Sequence, residues 1–141
     1  MKRTIRKSFK TGSYSNSVSA ALLILRLIAG AFMLTHGWGK FQMLTGDGSN
    51  HFPSVLGMGS TASLTLAVLA EFFASILLIF GLATRIAAIP LLITMLVAAL
   101  VIHSADPFSA KELPLMYSTI YLVILILGAG RYSLDRMISK K

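Results

Sequence analysis

The sequence predicts an all-α membrane protein, a bundle of four transmembrane helices with both termini in the cytoplasm. Hydrophobic residues make up 55% of the 141 residues and charged residues only 13%, which is too apolar for an ordinary soluble domain. The apolar residues fall into four runs, each near the length of one membrane-spanning helix. Lysine and arginine are concentrated near the two termini, as expected for cytoplasmic segments.

The four apolar runs predict the four helices in chain order. They cover residues 18–34, 61–83, 86–102 and 113–129. The first and third are short for a hydrocarbon core of about 30 Å, so we expect their ends to snorkel or to thin the bilayer locally. The connection between the second and third runs is only two residues long, Thr84 and Arg85. It therefore predicts that these two helices form an antiparallel hairpin.

The fourth helix has two alternative starts. The segment "SAKE", residues 109–112, fits a capping box with Ser109 as N-cap and Glu112 three residues later. That start would place Pro114 about one turn inside the helix, where proline removes a hydrogen bond. A start at Leu113 would place Pro114 at the first helical position, where proline is favoured. Glu112 is accordingly either a cap or a pocket residue.

The basic residues predict the orientation in the membrane. Five lie before residue 11 and four lie between residues 131 and 141, whereas the first and third connections contain only Lys40 and Lys111. We therefore expect a basic cytoplasmic tail at 1–17, a membrane domain at 18–135 and a basic cytoplasmic end at 136–141. Since Arg26 interrupts the first run and no small-residue cleavage site follows it, we expect an uncleaved anchor.

Two charged residues are expected deep inside the membrane. Arg26 lies roughly 12 Å along the first helix from its cytoplasmic end, at 1.5 Å per residue. Glu71 stands near the middle of the second run. Charges at such depth are costly unless they are paired or hydrated, so we predict that Arg26 faces the bundle interior with Glu71 as its partner. The pair would either fix helix packing alone or mark a proton route or a head-group pocket.

A second polar group is expected at the outward end of the bundle. His36 and Lys40 follow the first run, His103 and Asp106 follow the third, and Glu112 precedes the fourth. These residues would lie near one membrane interface, where a histidine can carry protons for a bound polar head group. Imidazole and carboxylate groups also suit a divalent metal. Because no HxxxH or ExxH spacing is present, we predict no metal site.

Tyr117 and Tyr121 lie one helical turn apart near the same end of the fourth helix. They would either extend the head-group pocket or belong to an aromatic belt at the membrane interface.

Several functional classes are excluded by what the sequence lacks. It contains no cysteine, which excludes a disulfide framework and a CxxC redox relay on this chain. No phosphate-binding loop, HExxH or GxSxG motif is present, so no complete catalytic constellation can be assigned. The net charge of +8 comes mainly from the two ends of the chain. We interpret it as a topology signal, and we expect no nucleic-acid partner.

Several separate motifs resemble the DoxX family of small bacterial inner-membrane proteins. They occur in the family's order over about residues 20–135. The motifs are "LRLIAGAFMLTHGWGKF", "AEFFASILLIFGLATRIAA", "VIH", "KELPLMY" and "GAGRYSLD". The resemblance implies a four-helix, multi-pass protein of the bacterial inner membrane, in agreement with the independent count of apolar runs.

The resemblance also implies a role in membrane redox systems, because relatives look like subunits of quinone-linked oxidoreductases. We therefore expect an accessory subunit of a membrane-associated oxidoreductase complex, with a quinone or lipid head-group pocket, a protein partner and contact with membrane lipids. A homo-oligomer is an open alternative, and so are a small solute or proton transporter or channel and a purely structural membrane protein. The candidate cofactor-binding residues are Arg26, His36, Lys40, Glu71, His103, Glu112 and Tyr117.

Overall fold

A computed structural model describes residues 14–139, and throughout this range the regular secondary structure is helical. Most of the predicted basic tail (residues 1–13) and the last two lysines (residues 140 and 141) lie outside the described residues. Within the described residues, four helices are long and apolar enough to cross a membrane. They are α1 (Asn16–Thr45), α2 (Ser60–Phe80), α3 (Thr84–Ile102) and α4 (Phe108–Leu127). A 3₁₀ turn at Ser49–His51 and a short helix α5 (Leu134–Ser139) complete the chain.

The predicted four-helix bundle is confirmed, although two helix boundaries were wrong. Helix α1 continues well past the end of its apolar run and stops at Thr45, before Gly46. Helix α4 begins at Phe108 with Pro107 as its N-cap, so neither predicted start is correct. An extended Pro107 stops the chain from being helical any earlier, and Pro114 is accommodated inside the helix. Both errors arise because hydropathy marks the lipid-crossing part of a helix and misses a polar turn that continues it.

Helix α1 lies antiparallel to α2, and α3 packs extensively on α4. The described ends of the chain meet at one end of the bundle, where the Tyr14 hydroxyl donates to the Leu127 carbonyl at 2.9 Å. We call this the terminal end, and we call the opposite end, which carries the connections 46–59 and 103–107, the loop end. The core contains mainly small and aliphatic residues with Tyr121 at its centre, whereas many large apolar side chains point outward, where lipid would surround them.

The helix register contradicts the predicted pairing of Arg26 with Glu71. Arg26 packs against Gly81, at the end of α2. Glu71 lies ten residues before Gly81, which is roughly 15 Å along the helix axis, and it packs against Gly37 of α1. The two charges therefore lie at different levels of the bundle. The prediction was wrong because depth was counted along each helix separately, without knowledge of how α1 and α2 are aligned.

Gly37→Ala is expected to destabilise the protein. A Cβ at Gly37 would lie 2.5 Å from the carbonyl carbon of Glu71 and from the backbone nitrogen of Phe72. Backbone atoms cannot rotate away, so α1 and α2 would have to separate, at a cost of about 1–3 kcal/mol. Thermal unfolding in detergent measures the effect. Gly39→Ala is the matched control, because a Cβ there meets nothing within 4 Å and alanine is the better helix former. Equal losses in both variants would contradict the close approach.

Candidate functional site

Glu71 lies at the centre of a π-helical turn, Leu69–Phe73, that interrupts α2. Its side chain is 1% exposed. Such π-turns are rare, and they occur frequently at functional sites. Because the turn is set directly against Gly37 of α1, the carboxylate is held in the bundle interior.

The partner of Glu71 is Lys40, whose Nζ forms an ion pair and hydrogen bond with Oε1. Helix α1 extends past its apolar run to Thr45, and this extension carries Lys40 to the level of Glu71. The lysine side chain remains 29% exposed. A buried carboxylate is costly without a countercharge, and Lys40 supplies it.

The second carboxylate oxygen of Glu71, Oε2, is buried and has no hydrogen-bond partner among residues 14–139. A buried charged acceptor left unsatisfied costs free energy. A water molecule or a ligand that donates a hydrogen bond would remove this cost. Oε2 is therefore the atom at which a ligand donor would gain most.

A cavity of about 320 Å³ lies beside this ion pair, between α1, α3 and the start of α4. We call it the histidine cavity. It brings together five of the seven predicted site residues, and these are His36, Lys40, Glu71, His103 and Tyr117. Its other walls are mainly apolar and include Met33 and Met95, which the sequence analysis missed. No signal in the sequence marks them, since a methionine within an apolar run is the usual residue of a packed helix.

The two histidines differ in their surroundings. His36 is exposed on α1. His103 follows a second π-helical turn, Ala98–Ile102, and its Nδ1 lies 2.7 Å from Oδ2 of Asp106. The carboxylate orients the ring, which lines the histidine cavity. Nowhere in the described range do three His, Asp or Glu side chains converge as metal ligands would.

Tyr117 and Tyr121 stack with their ring centroids 5.9 Å apart. Both are buried, with 7% and 0% of their surfaces exposed, so they lie inside the bundle and not in an interfacial belt. The Tyr121 hydroxyl is a buried donor that finds no hydrogen-bond partner within residues 14–139. The pair thus extends the polar region from the ion pair into the bundle.

The other two predicted site residues lie elsewhere. Arg26 is fully buried at the terminal end, where Nη2 donates to the Tyr132 carbonyl at 2.7 Å. Glu112 is exposed on α4 and does not line the histidine cavity. The structure therefore groups the loop-end residues and separates Arg26 from them.

A second cavity, of about 230 Å³, lies on the other side of the ion pair. We call it the loop cavity, because the connection 46–59 covers it with Phe52, Leu56 and Met58. Lys40 and Glu71 line both cavities. The ion pair thus forms part of the wall between two spaces at the loop end.

Chemically, the histidine cavity offers donors and acceptors in an otherwise apolar space. Lys40 and the histidines can donate, and the free oxygen of Glu71 can accept. Small-molecule sites have this composition, in which a few convergent polar groups lie in an apolar pocket of roughly 300–1,000 Å³. The site is therefore suited to a small molecule with a polar ring or head group.

Comparison with known proteins shows matches over most of the chain. The DoxX family profile matches residues 21–104. "Inner membrane protein YqjF" of Escherichia coli (strain K12) is 31% identical over 125 residues, covering 85% of this chain and 93% of the relative. "Putative oxidoreductase CatD" of Bacillus subtilis (strain 168) is 28% identical over 139 residues, covering 96% of this chain and 93% of the relative. An uncharacterized protein of Haemophilus influenzae is 33% identical over 132 residues, covering 85% and 92%. No solved structure matches significantly.

Proposed function

The chain belongs to the DoxX family of multi-pass inner-membrane proteins, and on that premise we propose that it is a membrane-integral accessory subunit of an oxidoreductase complex that binds a quinone head group in the histidine cavity. A redox role is supported by the relative CatD, whose name describes an oxidoreductase. The observation that carries the proposal is the free, buried Oε2 of Glu71, a residue whose cavity is also lined by two histidines.

The residues present fit a quinone by their donor and acceptor properties. A quinone ring carries carbonyl oxygens that accept hydrogen bonds, and these match the donors of His36 and Lys40. The reduced quinol carries hydroxyl groups, one of which would donate to Oε2 of Glu71. Tyr117 lines the cavity and supplies an aromatic ring, which favours offset or edge-to-face contact with a flat ring. The cavity of about 320 Å³ falls within the range of small-molecule sites.

In this proposal the chain binds and orients the head group and leaves electron transfer to a partner. Quinones supply two-electron, two-proton chemistry when they are bound. This chain has no cysteine, so thiol redox steps would belong to another subunit. Oε2 of Glu71 would accept the hydrogen bond of a quinol hydroxyl, and Lys40 holds the carboxylate in place through Oε1. Asp106 accepts from Nδ1 of His103, so in the neutral ring the other nitrogen, Nε2, is an acceptor that suits the hydroxyl of a quinol.

Glu71→Gln is expected to reduce the quinone that copurifies with the protein by on the order of tenfold, since a hydrogen bond to a charged group is worth about 1.5–3 kcal/mol. The protein would be purified from its native membranes in a mild detergent, and the extracted quinone would be quantified per mole of protein. Glu112→Gln is the matched control, because Glu112 is exposed and outside the cavity. Wild-type protein without quinone, or equal retention in both variants, would contradict the proposal.

A proton or solute route is a second candidate function. The observation in its favour is that the histidine cavity and the loop cavity meet at Lys40 and Glu71, so that an ionisable pair separates two spaces. Flux of protons or small solutes into proteoliposomes that contain the purified protein would test it. Flux abolished by Glu71→Gln, with no quinone retained by the wild type, would favour this function over quinone binding.

A further inference from the structure

We propose that the groove between α1 and α4 holds the isoprenoid tail of the quinone whose head group occupies the histidine cavity. This inference rests on the proposed function and deepens it, because it assigns the ligand as a long-tailed quinone that enters sideways from the lipid. The groove encloses about 510 Å³ and its lining is almost wholly apolar. Neither the family profile nor the relatives' names assign it a ligand.

The groove adjoins the histidine cavity. Leu113 and Tyr117 of α4 line both spaces, so these side chains lie where the two spaces are adjacent, and in this proposal the ligand passes from one into the other beside the Tyr117 ring. Helix α1 packs far more closely on α2 than on α4, and this sparse contact leaves the groove open along the bundle. A ligand with its polar end at Glu71 would therefore find an apolar channel directly beside it.

The dimensions of the groove suit one extended chain. Its α1 wall runs from Phe32 to Ala21, roughly 17 Å along the helix at 1.5 Å per residue. The small, buried side chain of Ala29 lines the groove nearer to its Phe32 end. Ile28 and Met116 stand at the rim and are 50% and 56% exposed, so the groove faces lipid along its side. An isoprenoid tail can thus pass from the bilayer into the groove without crossing a polar layer.

An isoprenoid tail fits better than free acyl lipid because of what lies at the end of the groove. The polar groups there are donors on Lys40 and His36 and acceptors on His103 and on the free carboxylate oxygen of Glu71. A neutral ring with two oxygens can use both kinds of group. A phosphate head group would place negative charge beside the buried carboxylate of Glu71, which like-charge repulsion disfavours.

The test compares two quinones that share one head group, one with a ten-carbon tail and one without a tail. Ile28→Trp would fill the groove at its rim, and Ile86→Trp is the matched control. Ile86 is equally exposed at 51%, and it lies on α3 outside the groove and both cavities. Dissociation constants would be measured on purified protein in one detergent, so that partition into micelles cancels between variants.

We expect Ile28→Trp to weaken the tailed quinone by on the order of tenfold, the scale of a few buried methylene groups, and to leave the tail-less quinone unchanged. Ile86→Trp should change neither. If both quinones bind, if Glu71→Gln weakens both and if Ile28→Trp weakens neither, the groove assignment is overturned while the head-group site stands. If neither quinone binds saturably, the proposed function fails, and the groove assignment fails with it.

A second measurement keeps the proposal testable if Ile28→Trp does not fold. A quinone with a photoreactive group at the end of its tail would be crosslinked to the wild-type protein and the labelled peptides mapped. Labelling of residues 21–32 or 113–120 that the tail-less quinone competes away supports the groove. Labelling elsewhere overturns it. If added phospholipid abolishes labelling of the groove and added quinone does not, the assignment is also overturned, in favour of an acyl chain as the occupant.

Discussion

Lys40→Met is expected to destabilise the protein strongly, because it removes the countercharge of a carboxylate that is 1% exposed. Removing one partner of a buried ion pair costs about 3–5 kcal/mol. We expect a value near the lower end, since the lysine side chain itself is 29% exposed and water partly screens the pair. The free energy of unfolding in detergent, or the thermal unfolding temperature, measures the loss.

The double variant Lys40→Met with Glu71→Met separates charge pairing from packing. Replacing a whole buried pair by hydrophobic residues of similar volume is often neutral or stabilising, so the double variant should recover most of the stability that Lys40→Met loses. Lys111→Met is the control at the same end of the bundle, because Lys111 only donates to the exposed Ser104 carbonyl, at 2.8 Å. A Lys40→Met protein as stable as this control would show that the pair contributes nothing.

The recovered double variant also tests why the chain contains the pair. If Lys40 and Glu71 served folding alone, a stable double variant would keep every property of the wild type. The proposed function predicts that it folds and yet loses bound quinone, because the free acceptor Oε2 is gone. Stability and ligand binding are thus expected to separate in one protein.

The sequence predicts the membrane architecture well, because crossing a bilayer imposes a length and composition that can be counted along the chain. The grouping of His36, His103 and Tyr117 was also predictable, since helix direction alone places all three at one end of the bundle. These predictions depend on position along each helix and need no knowledge of how two helices are aligned. They are the part of the site that topology determines.

The partners of the buried charges depend on register and could not be predicted. Lys40 follows an apolar run that ends at residue 34, so its position in the sequence predicts an interfacial residue. In the structure the helix continues to Thr45 and places Lys40 beside Glu71. The π-helical turn at Leu69–Phe73 has no signal in the local sequence, and it lies against Gly37 of α1, a neighbour that only the helix register supplies. Local propensity does not contain such tertiary effects.

Arg26 is expected to hold the terminal end of the bundle together, so Arg26→Met should be among the most destabilising single substitutions. The guanidinium is fully buried and donates to the Tyr132 carbonyl at 2.7 Å. It also interacts electrostatically with Asp135, whose carboxylate is 1% exposed. That carboxylate accepts from the backbone nitrogens of Ala83 and Thr84 at 2.7 and 2.9 Å, and so caps α3. One residue of α1 thereby links the C-terminal segment to the α2–α3 turn.

The expected loss for Arg26→Met is about 1.5–3 kcal/mol, because the Tyr132 carbonyl loses a charged donor and the buried carboxylate of Asp135 loses the attraction of the guanidinium. Peptides covering residues 128–139 should also exchange their amide hydrogens faster, since the buried hydrogen bond that joins them to α1 is lost. Arg131→Met is the matched control, because Arg131 is exposed and bonds only the Asn16 side chain, at 2.9 Å, an interaction worth about 1 kcal/mol or less.

The exchange measurement decides between two roles for Arg26. If Arg26 binds ligand, its substitution should remove quinone from the protein while residues 128–139 keep their protection from hydrogen exchange. If Arg26 instead holds the terminal end together, its substitution should first reduce the protection of residues 128–139, and quinone should be lost only as the bundle loosens. Because Arg26 lies roughly 15 Å from the level of Glu71, by the rise of α2, we expect the second pattern. The first would return Arg26 to the ligand site and contradict the separation of the two ends.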